Sequence, residues 1–348
     1  MKKVAVIILN YNGFKYLPAL LGSIFSYLPR NVEQELIVVD NNSTDNSVEY
    51  LKNEFSQIKL ILNEENLGFA EGNNMGIKYA MQNNFDYVML LNQDIRVTQG
   101  YLDKLVEVIE KDEKISAVQP KILLYPETDQ VNSLGNVIHY LGFGYTYGHK
   151  EKDTKSLFEN KEINYCSGAA VLYKVSALRK VGLFYPELFM YHEDLDLGWR
   201  MKLMGFKNVI EVNSTIYHQY EFSRSIKKYY YMERNRYIVI FQSYKVGTII
   251  LILPLLFITE LGLLLFSLFN GFFKEKLKVY LYFLRLNSWV KIKKKRNKIQ
   301  GSRILSDRQV VKDFSGEIKH QEVRNNILTY INPLFDLYWQ VIKRLIIW

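Results

Sequence analysis

The sequence predicts an α/β protein: a mostly parallel, doubly wound sheet over residues 1–220, followed by a helical region over residues 221–348. Three observations lead there. Short, continuously apolar runs alternate with helical patterns through the first 120 or so residues, as expected of strands covered on both faces. Each of the first four runs ends in a polar turn rich in Asn and Asp. Near residue 221 the composition changes to basic, Tyr-rich and strongly apolar stretches.

The runs are VAVIIL (4–9), ELIVVD (35–40), IKLIL (58–62), DYVMLL (86–91) and ISAVQ (115–119). The first is shorter than the apolar core of a secretory signal and is closed by the turn Asn10–Gly13, so it reads as a buried strand of a domain that is not exported. Residues 121–165 lack a period and include LGFGYTYG (141–148), which predicts loops and short antiparallel strands over a site. INYCSGAAVLY (163–173) reads as a strand interrupted at Gly168, where small residues let a ligand approach the backbone; a β-bulge is the plainer alternative. A helix is predicted from MYHEDLDLGWR (190–200) to Met204, with Gly205 as its stop, and KNVIEV (207–212) is a further strand.

The chain carries 45 Lys and Arg against 36 Asp and Glu, a formal charge of +9, with 26 Tyr and 20 Phe. Its basic residues crowd into the last third beside apolar segments, with no nucleic-acid-binding motif, so the expected partner is an anionic membrane surface and not nucleic acid. A single cysteine, Cys166, excludes an intrachain disulfide and a Cys-based metal site.

Val246 to Phe273 is long enough to cross a bilayer. Pro254 and Glu260 interrupt it, and both flanks are basic: Lys227, Lys228, Arg234, Arg236 and Lys245 before it, Lys274, Lys276, Lys278 and KIKKKR (291–296) after it. Both flanks therefore belong on the cytoplasmic side. Two shorter helices breaking near Glu260 or Gly262 are expected, lying in the inner leaflet beside a Trp-bearing amphipathic C-terminal helix. A single span and a soluble helical bundle are the alternatives.

Ligands of parallel sheets bind beyond the carboxyl ends of the strands. Those ends are Asn10-Tyr11-Asn12-Gly13, Asp40 with NNSTD, the run from Asn66 through Gly68, Asn73 and Asn74 to Gly76, and Asn92-Gln93-Asp94. Any one of them could be a cap or a turn; four on one edge predict a site. Asp40 can accept an N–H from a pyrimidine, Tyr11 can stack on it, and the Asn66–Asn74 amides can meet a ribose or phosphate. Asp94 can hold a divalent cation, Mg2+ or Mn2+, against a diphosphate. His218 either completes that coordination or is simply hydrogen-bonded. In the 190–200 stretch Asp196 pairs with Arg200 at i,i+4, leaving Glu193 and Asp194 unexplained.

The stretches ILNYNG, VVDNNSTDNS, NLGFAEGNNMGI, MLLNQDI, SGAAVLY and MYHEDLDLGWR, in this order, resemble bacterial family-two glycosyltransferases of the GT-A fold, in particular the rhamnosyltransferase-like branch of polysaccharide-assembly enzymes. The resemblance covers residues 1 to about 220. It implies a Rossmann-like GT-A domain that transfers a sugar with inversion from a nucleotide diphosphate donor, dTDP-rhamnose or a UDP-sugar. The implied acceptor is a lipid-linked saccharide of O-antigen, capsule or cell-wall glycan at the cytoplasmic face of the inner membrane, with the protein monotopic or peripheral. Asp40 and Tyr11 would bind the nucleoside, with Asn10 and Asn12 beside them. Asp94 would take the metal-binding place of the D-x-D motif, joined by His218, and Asp194 would be the base of the E-D motif. Glu193 would position the acceptor or the loop, since neighbours on a helix point about 100° apart. Gly168, Ala169, His192 and Trp199 are expected on the acceptor-side wall. One departure is visible: the D-x-D reads Asn92-Gln93-Asp94, with an amide in place of the first carboxylate.

Two other functions compete. A sugar nucleotidyltransferase shares the sheet type, but NYNGFKYL lacks the Gly-rich basic loop that holds a triphosphate. A non-catalytic membrane-bound sugar-binding protein would not need Asp94 and Asp194.

Overall fold

The computed structural model describes residues 1–154, 160–220, 229–319 and 326–348. The chain forms two compact units. Residues 1–136, 146–201 and 206–220 make the first; residues 137–145, 202–205 and 221–348 make the second. The expected boundary after residue 220 is thus accompanied by two short excursions.

The first unit opens with β1 (Lys2–Asn10), α1 (Leu17–Ser26), β2 (Val32–Asp40), α2 (Ser47–Glu54), β3 (Lys59–Leu62), α3 (Gly68–Gln82) and β4 (Tyr87–Asn92). The strands run parallel in the order β3-β2-β1-β4. Continuous apolar runs are required here because both faces are covered. Val4, Val6 and Ile8 of β1 pack into one cluster with Leu17, Leu20, Leu21 and Ile24 of α1, while Ile7 on the opposite face lies against Gly76 of α3, where a Cβ would come within 2.7 Å of it.

There follow in the chain β5 (Ile95–Val97), α4 (Tyr101–Ile109), β6 (Ile115–Leu124), β7 (Val131–Ser133), then β8 (Asn136–Ile138) and β9 (Gly144–Thr146), which fall mostly in the second unit, and β10 (Lys161–Ile163), β11 (Ala170–Lys174), α5 (Val175–Val181), α6 (Glu193–Leu203) and β12 (Lys207–His218). Expected strand 163–173 is two strands far apart in the sheet: β10 lies on the edge beside β12, whereas β11 inserts antiparallel between β4 and β6. β12 also runs longer than KNVIEV. Residues 214–218 alternate buried and half-buried side chains, the pattern of a strand with one open face, and this half pairs antiparallel with β5.

Helix α6 stops at Gly205, whose φ of +79° suits glycine. Inside the helix, Asp196 and Arg200 form the expected i,i+4 pair, at 2.7 Å, with relative exposures of 0% and 3%. Arg200 also donates to the carbonyls of Val181, Gly182 and Leu183, tying the end of α5 to α6.

The second unit contains α7 (Tyr229–Ser243), α8 (Val246–Phe269), α9 (Phe273–Leu284), α10 (Leu286–Ser302), α11 (Asp307–Val310) and α12 (Asn326–Leu345). Lys227 and Lys228 lie outside the described residues. The expected break near Glu260 or Gly262 is corrected: α8 is one helix of 24 residues that passes through Pro254 and Glu260. The reason lies in the neighbouring helices. The Glu260 carboxylate meets Lys276 at 2.9 Å and also accepts from Tyr237 and Tyr280, so it needs no helix end to reach a partner. Lys276 continues to Glu233 at 2.8 Å, which pairs with Arg236 at 3.3 Å. Away from this cluster, Ile250, Leu253, Phe257, Leu261, Leu265 and Leu268 form an exposed stripe at three- and four-residue spacing, and α8 is long and apolar enough to cross a bilayer.

Removing one member of a buried ion pair strands the other charge, at a cost of about 3–5 kcal/mol. Asp196→Ala is therefore expected to lower the urea midpoint of the first unit by that equivalent. An unchanged midpoint would contradict the pair's structural role.

Candidate functional site

The carboxyl ends of the parallel strands are bound to one another by side-chain amides. Asn10, buried at the end of β1, donates its amide N–H groups to Asp40 at 2.6 Å, Ser47 at 2.9 Å and Ser43 at 3.1 Å. The second Asp40 oxygen accepts the Ser43 N–H at 2.9 Å. Asn12, at a φ of +49°, accepts the Thr44 N–H at 2.8 Å. Gln93 accepts the Tyr11 N–H at 2.9 Å, which joins the end of β1 to the turn after β4. A Cβ at Gly13 would displace the side-chain oxygens of Asn10 and Gln93 from their present positions. Tyr11 is 47% exposed.

Asn41, which sequence reasoning passed over, is the hub of the next junction. It donates to Asn66 at 3.1 Å and to the Gly68 carbonyl at 2.9 Å, and accepts from Asn63 at 2.9 Å. Its only signal was its place next to Asp40. The run from Asn66 to Asn74, expected as a ligand-facing loop, is a loop only to Leu67; α3 begins at Gly68. Asn73 donates to the Phe69 carbonyl, and Asn74 clamps Phe184 by bonds to both its backbone groups. Both amides are buried and engaged within the protein.

Register places the next pair. In the antiparallel pairing of β5 with β12, His218 stands opposite Ile95, and the Gln219 N–H donates to the Asp94 carbonyl at 2.9 Å. His218 Nε2 thus lies 3.3 Å from Asp94 Oδ1. The other ring nitrogen, Nδ1, is 3.1 Å from Asn132 Oδ1. Because that oxygen can only accept, Nδ1 carries the proton, and in the neutral ring the Nε2 lone pair faces Asp94. Asp94 Oδ1 is itself buried without a hydrogen-bond partner among the described residues. Two such atoms facing one another suit a shared cation, and an oxygen behind the imidazole is the usual support of a ligating histidine. Among the described residues no cluster of three or more His, Cys, Asp or Glu gathers, so the remaining positions around a cation would fall to water and a ligand. Asn132 lies in the stretch without a period, where no sequence signal marked it.

Asp194 occupies the first turn of α6. One carboxylate oxygen accepts the Gly168 N–H at 3.1 Å and the other the Leu195 N–H at 2.7 Å. The neighbouring Ala169 carbonyl accepts the Asn92 N–H at 2.9 Å, so Gly168 and Asp194 lie beside the strand end that leads to Asp94. Burial pushes the Asp194 carboxyl above the usual range, while the Gly168 and Leu195 N–H groups pull it back. Glu193 is also buried, with Oε2 unpartnered among the described residues; burial first, and then the negative charge of Asp194, hold its pKa well above the usual range. His192 is half-buried at a φ of +65°, and its carbonyl accepts the first helical N–H, from Asp196, at 2.8 Å. Trp199 is a correction: at 1% exposure it presents no face to a ligand.

A raised carboxyl pKa means that the folded chain holds the proton more tightly than the unfolded one. Its contribution to stability is full below the ordinary carboxylate range and is lost as pH rises through the raised value. Glu193→Gln keeps the shape without the ionisation. The variant is expected to melt above wild type at pH 8, with the gap closing toward pH 4; a gap that widens on acidification would be the wrong sign.

Residues 5–182 match the family model described as glycosyl transferase family 2. The N-acetylglucosaminyl-diphospho-decaprenol L-rhamnosyltransferase of Mycobacterium tuberculosis is 24% identical over 233 residues, covering 61% of this chain and 75% of the relative. Among solved structures, GalNAc-T7 with UDP, GalNAc and Mn2+ superposes with a TM-score of 0.59 at 17% identity, over 71% of this chain and 49% of that one. S. aureus TarS 1-349 in complex with UDP superposes with a TM-score of 0.51 at 17% identity, over 99% of this chain and 90% of that one. Both likenesses concern the fold.

Proposed function

The chain belongs to glycosyl transferase family 2, and we propose that it transfers a sugar with inversion from a nucleotide diphosphate donor to a lipid-linked saccharide during cell-surface polysaccharide assembly. Asp194 supports this most directly. Its carboxylate is fixed by the Gly168 and Leu195 N–H groups at the strand-end edge of the sheet, and a carboxylate so held can take the acceptor hydroxyl proton as that oxygen attacks the anomeric carbon. The bond to the diphosphate breaks on the opposite face, which inverts the centre. Ionised Asp194 is the active form, so its raised pKa moves the acidic limb of the rate profile upward.

Tyr11 stacks on the nucleobase, and Asp40, Asn10 and Asn12 border the nucleoside. Asp94 and His218 would hold a divalent cation, Mg2+ or Mn2+, with Asn132 behind the imidazole. When bound there, the cation neutralises charge on the departing diphosphate. Mn2+ in the GalNAc-T7 structure favours such an ion. The rhamnosyltransferase relative favours dTDP-rhamnose as donor and a polyprenyl diphosphate-linked sugar as acceptor; the UDP complexes make a UDP-sugar the second choice.

The second unit holds the protein at the inner leaflet. Exposed Leu334, Leu337, Val341 and Leu345 on α12 repeat the apolar stripe of α8, and Lys291, Lys293, Lys294 and Lys298 on α10 are exposed for anionic headgroups. Glu260, engaged within its own unit, leaves the stripe uncharged. The unbroken α8 favours one rival, a single span.

Asp194→Asn should retain nucleotide binding and lose turnover by about 10²-fold or more; transfer near the wild-type rate would remove Asp194 from the mechanism. A thermal-shift panel of dTDP-rhamnose, UDP-glucose and UDP-N-acetylglucosamine, with and without Mg2+ or Mn2+, tests the donor and the ion together. A donor at about 100 times its Kd adds roughly 2.7 kcal/mol. Asp94→Ala and His218→Ala should lose the part that depends on the ion, and a wild-type rate indifferent to EDTA would refute metal assistance. Topology is read by replacing Cys166 with Ser and introducing Ser302→Cys. A monotopic protein resists an impermeant maleimide until the cells are opened, whereas labelling from outside establishes the span.

A further inference from the structure

The chain enters α6 through backbone that L-residues avoid. Phe189 has φ +61° and ψ −61°, and Tyr191 and His192 both have φ +65°. Phe189 is the centre of a three-residue turn closed by the Met190 N–H on the Leu188 carbonyl at 2.7 Å. This is the γ-turn of the rarer, strained hand. Such strain persists only where the surroundings impose it.

Here the start of α3 imposes it. The Phe189 carbonyl accepts the Ala70 N–H at 3.0 Å, filling one of the donors that a helix's first turn leaves open. The Phe189 ring lies so close to Gly68 that a Cβ there would come within 2.5 Å of the ring and 2.6 Å of the carbonyl oxygen. Gly68 is anchored in turn by Asn41, the residue after Asp40. On its other side the same helical turn reaches the glycine that holds the base: a Cβ at Gly168 would meet the Phe69 ring at 3.0 Å. The first turn of α3 therefore packs against both the backbone leading into Asp194 and the glycine whose N–H fixes its carboxylate.

We propose that Phe189 is a positioning residue for sugar transfer, its strained turn registering the Asp194 carboxylate against the donor side of the cleft through Gly68 and Ala70. This rests on Asp194 being the base. In this role Phe189 acts through the backbone, setting the direction from which α6 starts. The stability lost to three left-handed residues secures the placement of one carboxylate.

Two substitutions at one position separate strain from packing. Phe189→Ala removes the ring but keeps the Cβ that makes this backbone costly, whereas Phe189→Gly removes both. With dTDP-rhamnose or UDP-glucose as donor and a short-chain prenyl-diphospho-N-acetylglucosamine as acceptor, Phe189→Gly is expected to show kcat about 10-fold below Phe189→Ala. Its donor KM should stay within about twofold, because the nucleoside contacts are untouched, and its Tm should equal or exceed that of the Ala variant as strain is relieved. Equal kcat in the two variants, or a loss confined to donor KM, overturns the proposal. Should the Phe189 variants fail to fold, the pair Tyr191→Ala and Tyr191→Gly makes the same comparison two residues later, read by the same criteria. Asp194→Asn keeps the two ideas apart: full activity there sinks the base itself, while an inactive Asp194→Asn beside indistinguishable Phe189 variants sinks only the positioning role.

Discussion

The amide of Asn10 is the contact from which the rest of the cleft is built. Parallel register sets Asn10 opposite Asp40, so an amide and a carboxylate end side by side where the strands stop and the ladder no longer satisfies polar groups. A buried amide left without partners is costly. Three acceptors meet its N–H groups, one on Asp40 and two on the serines that open the way into α2. From there the polar chain extends through Asn41 to Gly68 and through Tyr11 to Gln93. The strand-end edge is thus a continuation of the sheet's hydrogen bonding by side chains once the backbone has turned away.

Two departures from simple parallel winding bring the remaining candidate residues to this edge. The antiparallel insertion of β11 carries Gly168 and Ala169 to the end of β4. The long β12, pairing with β5, delivers His218 to Asp94. Both bring residues distant in the chain to an edge that the first four strands had already made polar. Burial there has an electrostatic consequence. Burial raises the pKa of both Glu193 and Asp194, the Asp194 charge raises that of Glu193 further, and the backbone N–H groups of Gly168 and Leu195 partly offset the shift of Asp194. Asp196, two residues on, is buried in an ion pair with Arg200.

The second unit handles charge in the opposite way. Glu233, Arg236, Glu260 and Lys276 neutralise one another inside the bundle, and the tyrosines at 237 and 280 complete the Glu260 oxygens. With its one acidic residue so engaged, α8 can run unbroken as an apolar surface. A charge that looked like a helix breaker in the linear sequence is instead what fastens the helix to its neighbours.

The periodicity and strand-end chemistry of the sequence determined the sheet, its polar edge, the start of α6, and the Asp196–Arg200 pair, because each depends on residues near one another in the chain. Asp40, Asp94 and Asp194 were legible for the same reason: a carboxylate ending an apolar strand or opening a helix stands out locally. Tertiary structure alone decided the rest. Asn41 and Asn132 act through partners 25 and 86 residues away, Asn74 turned from the cleft to bond Phe184, 110 residues on, and Trp199 went to the interior. Glu260 kept its helix intact through Lys276, 16 residues later and on another helix. In each case the fate of a polar group or an aromatic ring depended on which partner the fold brought within hydrogen-bonding or packing distance, and that distance is a property of the assembled sheet and bundle.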